Sequence, residues 1–185
     1  MPTTWLVRHA RPIVDCGICY GHLDVAADPV ATALVAQDLA GRVPAGWSLV
    51  SSPLRRCRQL AEAIARLRPA LALSEDAALA EMNFGTWEGR SWQDIGAAAI
   101  DAWTRDFAHL APGGGESVTT FMARVAAVLR SPVAGDRVWI THAGVMRAAE
   151  LIAQGTSTIE SATQWPSQPI GYGECLVLTT PPTNR

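Results

Sequence analysis

The chain has 185 residues, of which 49% are hydrophobic and 17% charged, with a formal net charge of −2. This length and composition predict one compact domain over residues 1–185 and exclude a largely disordered chain. Because Arg residues are interspersed with Asp and Glu, no basic surface is expected that would bind nucleic acid or an anionic membrane.

The predicted elements alternate between strands and helices along the whole chain. In chain order they are a strand at Thr4–Val7, a helix at Pro29–Leu39, a strand at Ser48–Ser51, a helix at Leu54–Leu67, a weaker strand at Ala70–Leu73, one or two helices within Trp92–Leu110 interrupted near Gly96, a helix at Val118–Leu129, a strand at Arg137–Thr141, a helix at Val145–Gln154 and a strand at Glu174–Thr179. This alternation predicts a three-layer α/β/α sandwich with a mainly parallel central sheet.

Targeting segments and metal sites are not expected. The N-terminus has no basic region followed by a long apolar run, and no stretch reaches the roughly 18 apolar residues of a membrane span. A cytoplasmic protein with reduced cysteines is therefore expected. Cys16 and Cys19 have the spacing of a redox pair or of half a zinc site, but no second pair of ligands follows. Neither a metal nor another cofactor is expected.

Two predicted strands end in a histidine. Arg8 and His9 follow the first strand, and His142 follows the strand at Arg137–Thr141. Because ligands of open α/β sheets bind at the carboxyl ends of the strands, these side chains are expected to meet in one cleft. Taken singly, each histidine also fits a structural role.

Arginine side chains near these strand ends suit a phosphate group. Arg8 ends the first strand, and Arg56 lies in the first turn of a helix that follows another strand. Guanidinium groups bind phosphate oxygens bidentately, and the amides of a helix N-terminus also favour anions. A solvated helix face is the alternative for Arg55, Arg56 and Arg58.

Four separated motifs resemble those of the histidine phosphatase superfamily, the group that includes the phosphoglycerate mutases and many small phosphatases. The motifs are Leu6–Ala10, Ser51–Ala61, Leu79–Gly89 and Thr141–Arg147, with Gly115–Ser117 and Arg124 between the last two. The resemblance implies a phosphoglycerate mutase-like fold. It also implies a phosphomonoesterase that works through a phosphohistidine intermediate on a small phosphorylated metabolite.

The resemblance also assigns roles to five residues. It implies that His9 is the nucleophile and that Glu81 protonates the leaving oxygen. It implies that Arg8, Arg56 and His142 bind the phosphoryl group. For His9 to attack it must be neutral, and the neighbouring guanidinium groups are expected to lower its pKa by like-charge repulsion.

One position departs from the family pattern, and two glutamates are not expected to take part in the function. Ala10 stands where the family usually has Gly, so the backbone there is expected to keep ordinary angles. Glu75 and Glu88, in contrast to Glu81, are expected to be solvated surface charges.

The substrate is less well indicated than the chemistry. The segment Cys19–Asp24 resembles the α-ribazole phosphatases of cobalamin assembly, so α-ribazole 5′-phosphate is a candidate, with Tyr20 and Gly21 in the binding site. Tyr20 equally fits a role in packing the loop.

Two other functions stay open from the sequence. One is phosphoglycerate mutase-type transfer, although the short stretch between Glu81 and Glu116 favours a site open to water and hence hydrolysis. The other is a non-catalytic protein that binds phosphorylated ligands. Trp165 is expected to be exposed, where it would fit a homodimer contact.

Overall fold

The computed structural model describes residues 2–131 and 135–179, and within them five strands form one sheet. The strands are β1 (Thr3–Arg8), β2 (Ser48–Ser51), β3 (Ala72–Glu75), β4 (Arg137–Thr141) and β5 (Cys175–Thr179). Their order across the sheet is β3-β2-β4-β1-β5. The first four run parallel to one another, and β5 is antiparallel to β1. The predicted, mainly parallel sheet is confirmed.

Helices cover both faces of this sheet, as the alternation of elements predicts. They are α1 (Pro29–Arg42), α2 (Arg55–Leu67), α3 (Trp92–Ile95), α4 (Ala97–Arg105), α5 (Val118–Arg130) and α6 (Ala143–Ala153). One buried cluster joins α1 and α2 to the sheet, and a second joins α5 and α6 to its other face. The three-layer sandwich is therefore confirmed. Among the helices of the described residues, none is long and apolar enough to cross a membrane.

The central strands are buried on both faces because their side chains alternate between the two clusters. In β1, Leu6 packs with α5 and α6, whereas Val7 packs with α1 and α2. In β4, Trp139 and Ile140 divide in the same way. A strand flanked by strands and covered by helices on both faces has to be apolar throughout, which is why both runs stand out in the sequence.

Several element boundaries differ from the predicted ones, among them those of β3, β1 and α6. Strand β3 begins at Ala72, two residues after the predicted start, because the amide of Leu71 still donates to the Arg68 carbonyl in a turn (2.9 Å). Strand β1 extends to Arg8, which pairs with Thr141 of β4. Helix α6 begins at Ala143, directly after His142, and not at Val145. The Ala and Gly residues of that first turn carry no apolar periodicity that could reveal it.

The predicted interruption of the helical segment after Trp92 is confirmed. Gly96 separates α3 from α4 with a φ of 85°, in the left-handed region that residues with a Cβ avoid. The two short helices contribute Trp92 and Trp103 to the lining of the cavity described below.

Candidate active site

The strand-end histidines come together as expected. The His9 amide donates to the Thr141 carbonyl at 2.9 Å, so the residues that end β1 and β4 lie side by side. The imidazole rings of His9 and His142 have their centroids 5.2 Å apart. Ser52, which follows β2, joins them because its amide donates to the Ile140 carbonyl.

The hydrogen bonds of His9 fix which ring nitrogen carries the proton. Its Nδ1 lies 2.7 Å from the Ala10 carbonyl oxygen and therefore donates a proton to it. Its Nε2 accepts a hydrogen bond of 3.3 Å from Nε of Arg56. The lone pair of the neutral ring is thus on Nε2. Ala10 has an ordinary negative φ, as expected, since no residue other than Gly in the described ranges has a positive one.

Burial keeps the His9 ring neutral. The side chain is 2% exposed, and its pKa is lowered to about 3. Loss of solvation is the largest cause, and the charge of Arg56 comes second. The like-charge repulsion expected from the sequence therefore contributes, but it is secondary to burial, which a sequence does not display.

The guanidinium of Arg8 keeps a free donor. Its Nη1 donates to the Ile170 carbonyl, and its guanidinium carbon lies 4.0 Å from the centre of the Tyr172 ring. Within the described residues, Nη2 makes no hydrogen bond. Arg8 lines the same cavity as His9, so this free donor is available to an anion there.

Arg56 is fully buried, and its nitrogens all have acceptors in the protein. Nη1 donates to the Leu23 carbonyl at 2.8 Å, and Nη2 donates to the Gly21 carbonyl at 2.7 Å. Nε donates to His9. Arg56 therefore holds the segment that carries Tyr20 and Gly21 against His9. The charge of its guanidinium lies next to the His9 ring. Arg56 does not lie on a solvated helix face.

His142 lies behind His9, fully buried. Its Nε2 is 2.8 Å from Oγ of Ser52 and 3.4 Å from Sγ of Cys57. Burial lowers its pKa well below the ordinary value, and Arg56 adds to this effect. Burial also raises the pKa of the Cys57 thiol to about 12, so this thiol is a neutral neighbour.

The carboxylate of Glu81 packs against the first turn of α6. Its Oε2 accepts a hydrogen bond of 3.0 Å from the Gly144 amide, and its Oε1 accepts one of 3.1 Å from the Met82 amide. A Cβ added at Gly144 would be 2.2 Å from Oε1. The carboxylate can take this position only because residue 144 has no side chain.

An ion pair clamps the segment that carries Glu81. Arg124 donates to both carboxylate oxygens of Glu116, at 3.0 and 2.7 Å. The same guanidinium donates to the carbonyls of Ala78 and Ala80, each at 2.8 Å. Both charged residues belong to the motifs noted in the sequence, but this clamping function follows only from the structure.

Glu88 is not the solvated charge that the sequence suggested. Its Oε1 accepts hydrogen bonds from the amides of His22 and Phe84, and its Oε2 accepts one from Leu23, all between 2.8 and 2.9 Å. Glu88 therefore joins the segment around Gly21 to the segment after Glu81. Glu75 is exposed, as expected.

The site opens into a cavity of about 320 Å³. Arg8, His9, Arg56 and Glu81 line it, as do both proposed binding residues of the loop, Tyr20 and Gly21. Arg147 of α6 also lines it and donates through Nη2 to the Gln168 carbonyl at 2.9 Å. His142 is not in the lining. Aromatic side chains form much of the rest: Phe84, Trp92, Trp103, Phe107, Phe121 and Trp165.

The predicted exposure of Trp165 is wrong. It is half-buried and lines this cavity, with its ring centroid 6.2 Å from that of Phe107 and 6.3 Å from that of Phe121. It is therefore not an exposed residue suited to a homodimer contact. The loop that carries it, rich in Pro and Gly, gives no sequence signal of this packing.

The cysteine pair of the sequence does not form a metal site. Cys16 is exposed and Cys19 is buried, and both are free thiols. Across residues 2–131 and 135–179, no three or more His, Cys, Asp or Glu side chains are grouped so that they could hold a metal ion.

Comparison with known proteins gives consistent matches over most of the chain. The family model of the histidine phosphatase superfamily (branch 1) matches residues 4–168. A glucosyl-3-phosphoglycerate phosphatase of Mycolicibacterium vanbaalenii is 32% identical over 157 residues, which cover 81% of this chain and 68% of that protein.

Solved structures agree with these matches. The crystal structure of a protein from Thermus thermophilus matches with a TM-score of 0.71 and 29% identity, over 95% of this chain and 92% of that one. The native structure of a mycobacterial glucosyl-3-phosphoglycerate phosphatase matches with a TM-score of 0.67 and 26% identity, over 82% of this chain and 79% of that one.

The buried neutral His9 is expected to make stability depend on pH. Its pKa of about 3 in the folded protein lies below the ordinary 6.5, so the unfolded chain binds the extra proton between these values. The free energy of unfolding therefore falls as the pH is lowered through 6.5. From pH 7 to 5, His9 alone should account for about 2 kcal/mol.

Urea unfolding at both pH values measures this loss. In His9→Gln the difference between pH 7 and 5 should shrink by about that amount. His109→Gln is the matched control, because the His109 side chain is 65% exposed. An equal pH dependence of the unfolding free energy in His9→Gln and the wild type would contradict the lowered pKa of His9.

Proposed function

The chain belongs to the histidine phosphatase superfamily and is a phosphoric monoester hydrolase that acts on a small phosphorylated molecule, and from this premise we propose that it transfers the phosphoryl group first to His9 and then to water. The proposal covers residues 1–185 as one catalytic domain. It is supported by the spread of the site along the chain, from Arg8 at the end of β1 to Tyr172 before β5.

The tautomer of His9 is the observation that carries this proposal. The proton on Nδ1 is bound to the Ala10 carbonyl, which leaves the Nε2 lone pair directed into the site. The hydrogen bond that this lone pair accepts from Arg56 is long, at 3.3 Å, and is readily exchanged for a bond to phosphorus. A nucleophile that is neutral at physiological pH needs no separate base to activate it.

In the first step, Nε2 of His9 forms a bond to phosphorus while the bond from phosphorus to the ester oxygen breaks. We propose that Arg8 binds the phosphoryl oxygens through its free Nη2. Arg56 lies against Nε2 and would contact the oxygens of a phosphoryl group bonded there. His142, whose ring lies 5.2 Å from that of His9, is proposed as a further ligand of the bound group.

Glu81 is proposed as the acid and then the base. Its proton goes to the ester oxygen as that oxygen leaves with the bonding electrons, and the alcohol departs. In the second step, a water molecule attacks phosphorus, Glu81 takes a proton from it, and the bond between phosphorus and Nε2 breaks. His9 is thereby restored, and inorganic phosphate is released.

Two phosphate esters are candidates for the substrate. The likeness of Cys19–Asp24 to α-ribazole phosphatases favours α-ribazole 5′-phosphate and a place in cobalamin assembly, and Tyr20 and Gly21 line the cavity where its body would bind. The Mycolicibacterium relative is named for glucosyl-3-phosphoglycerate. Rates of phosphate release from the two esters, measured side by side, decide between them.

We propose cytoplasmic action without a metal. A homodimer is to be tested by light scattering.

His9→Ala is expected to abolish turnover, because among the described residues the cavity lining contains no other imidazole. Wild-type protein incubated with p-nitrophenyl phosphate and quenched in alkali should contain an acid-labile phosphohistidine, located by mass spectrometry at His9. His109→Ala is the control and should keep full activity. Near wild-type turnover in His9→Ala would sink the nucleophile assignment.

Glu81→Gln should slow the first step according to the leaving group. With glycerol 3-phosphate, whose alkoxide must be protonated, the first-turnover rate should fall by about 10²–10⁴-fold. With p-nitrophenyl phosphate, whose phenolate leaves without a proton, it should fall much less. The exposed Glu75→Gln serves as the control. An equal loss with both esters in rapid-quench measurements would argue against Glu81 as the acid.

Gly144→Ala should impair the same step without unfolding the protein. The added Cβ would displace the Glu81 carboxylate, which is the end of a flexible side chain, so the change should lower kcat for glycerol 3-phosphate by about tenfold or more. Thermal unfolding should show a folded protein. Gly41→Ala is the matched control, because a Cβ at this exposed position in α1 meets no atom within 4 Å.

A further inference from the structure

The lining of the cavity divides into two groups of side chains with different chemistry. The first group, which includes Arg8, His9 and Glu81, carries the charges and the polar atoms that the proposed reaction uses. The second group consists of the six aromatic side chains named above, together with Ile18, Met82 and Val118. The proposed chemistry assigns no task to this second group.

The aromatic side chains form one continuous surface, which we call the aromatic wall: Phe84, Trp92, Trp103, Phe107, Phe121 and Trp165. Phe84 contacts Trp92 and Trp103 edge to face, with ring centroids 5.9 and 5.8 Å apart. Trp103 continues to Phe107 at 5.2 Å, and Phe107 to Trp165 at 6.2 Å. These separations are those of well-packed aromatic pairs, so the surface is preformed.

The aromatic wall begins where the charged group ends. A Cβ added at Gly21 would lie 2.5 Å from the Phe84 ring and 1.9 Å from the Met82 carbonyl oxygen, so the loop and the wall are in direct contact there. The Gly21 carbonyl is the acceptor of Arg56. Met82 follows Glu81 directly in the chain. A group attached to the oxygen that Glu81 protonates would therefore lie along this wall.

The aromatic wall offers almost nothing to a hydroxyl group. Its only polar atoms are indole N–H donors, and that of Trp103 is itself buried with no acceptor among the described residues. A polyhydroxylated leaving group placed here would find three indole N–H donors and no side-chain acceptor on the wall, so most of its hydrogen bonds to water would be lost, which costs free energy for each one. An aromatic ring would instead gain from burial and from edge or face contacts.

We propose that the aromatic wall is the binding site for the leaving group, and that the substrates are phosphate monoesters whose alcohol carries a flat aromatic ring. This inference rests on the proposed function, the hydrolysis of a phosphate ester by the side chains of the first group. α-Ribazole 5′-phosphate belongs to this chemical class, whereas glucosyl-3-phosphoglycerate does not. The enzyme thus differs in substrate class from the relative named for the glucosyl ester.

Two probes with equivalent leaving oxygens test the inference: 2-(1-naphthyl)ethyl phosphate and glycerol 3-phosphate both release a primary alcohol. Their dissociation constants are measured by calorimetry on His9→Ala, in which no turnover occurs, and their kcat/KM values on the wild type. The naphthyl ester should bind tighter and have the higher kcat/KM, each by about tenfold or more.

Substitutions in the aromatic wall test whether the preference for the naphthyl ester arises there. Trp165→Gln and Trp92→Gln should each reduce the preference for the naphthyl ester over glycerol 3-phosphate severalfold. Two positions are used so that a folding defect in one variant, seen by circular dichroism, leaves the other as the test. Trp47→Gln is the matched control, because Trp47 is also half-buried but packs against Trp5 in the cluster with α1 and α2.

The two proposals fail in different ways. Equal dissociation constants for the two esters, or a preference that survives both wall substitutions, would overturn the aromatic site and leave the phosphohistidine mechanism standing. A tenfold binding preference without turnover of either ester by the wild type would support the aromatic site and contradict the mechanism.

Discussion

Burial of the Arg56 guanidinium is the constraint on which the rest of the site depends. A cation removed from water is tolerated only when its N–H groups find acceptors, since an unpaired buried charge costs several kcal/mol. Carbonyls of Gly21 and Leu23 supply these acceptors, with Nε2 of His9 as the third partner. The loop, the helix α2 and the imidazole are thus fixed by one side chain. The same charge lowers the pKa of both His9 and His142.

The class of enzyme and the meeting of the strand-end side chains could be predicted from the sequence, because the residues concerned lie at strand ends or in local motifs. The apolar runs of β1 and β4 identify themselves by composition, and the parallel sheet then brings His9 and His142 to one edge. The fold class follows from the same alternation of strands and helices. Arg8 and Glu81 stand at positions where the four motifs of the family place charged residues.

The remaining contacts could not be predicted, because they join segments that are distant in the chain. Glu88 resembles any surface carboxylate until the loops at residues 20–24 and 82–89 fold over it and donate three amides. Trp165 has no apolar periodicity around it, yet it closes one end of the aromatic wall. The burial of His142 behind His9 likewise depends on packing against Ser52 and Cys57, which neither periodicity nor spacing expresses.

Strand β1 lies inside the sheet, between β4 and the antiparallel β5, and its last residues are held from both sides. The amide of His9 is bonded to β4, and that of Arg8 to the Glu174 carbonyl next to β5. Amide hydrogens there are expected to exchange only when the sheet itself opens. Five of the six side chains of the aromatic wall lie on turns, two short helices and a loop, which open locally, and Phe121 lies on α5. Substitutions in the wall can therefore accumulate without loosening the ends of β1 and β4, where His9 and His142 lie. A gene for such a protein, once duplicated, can acquire a new substrate in few steps while its catalytic core is preserved.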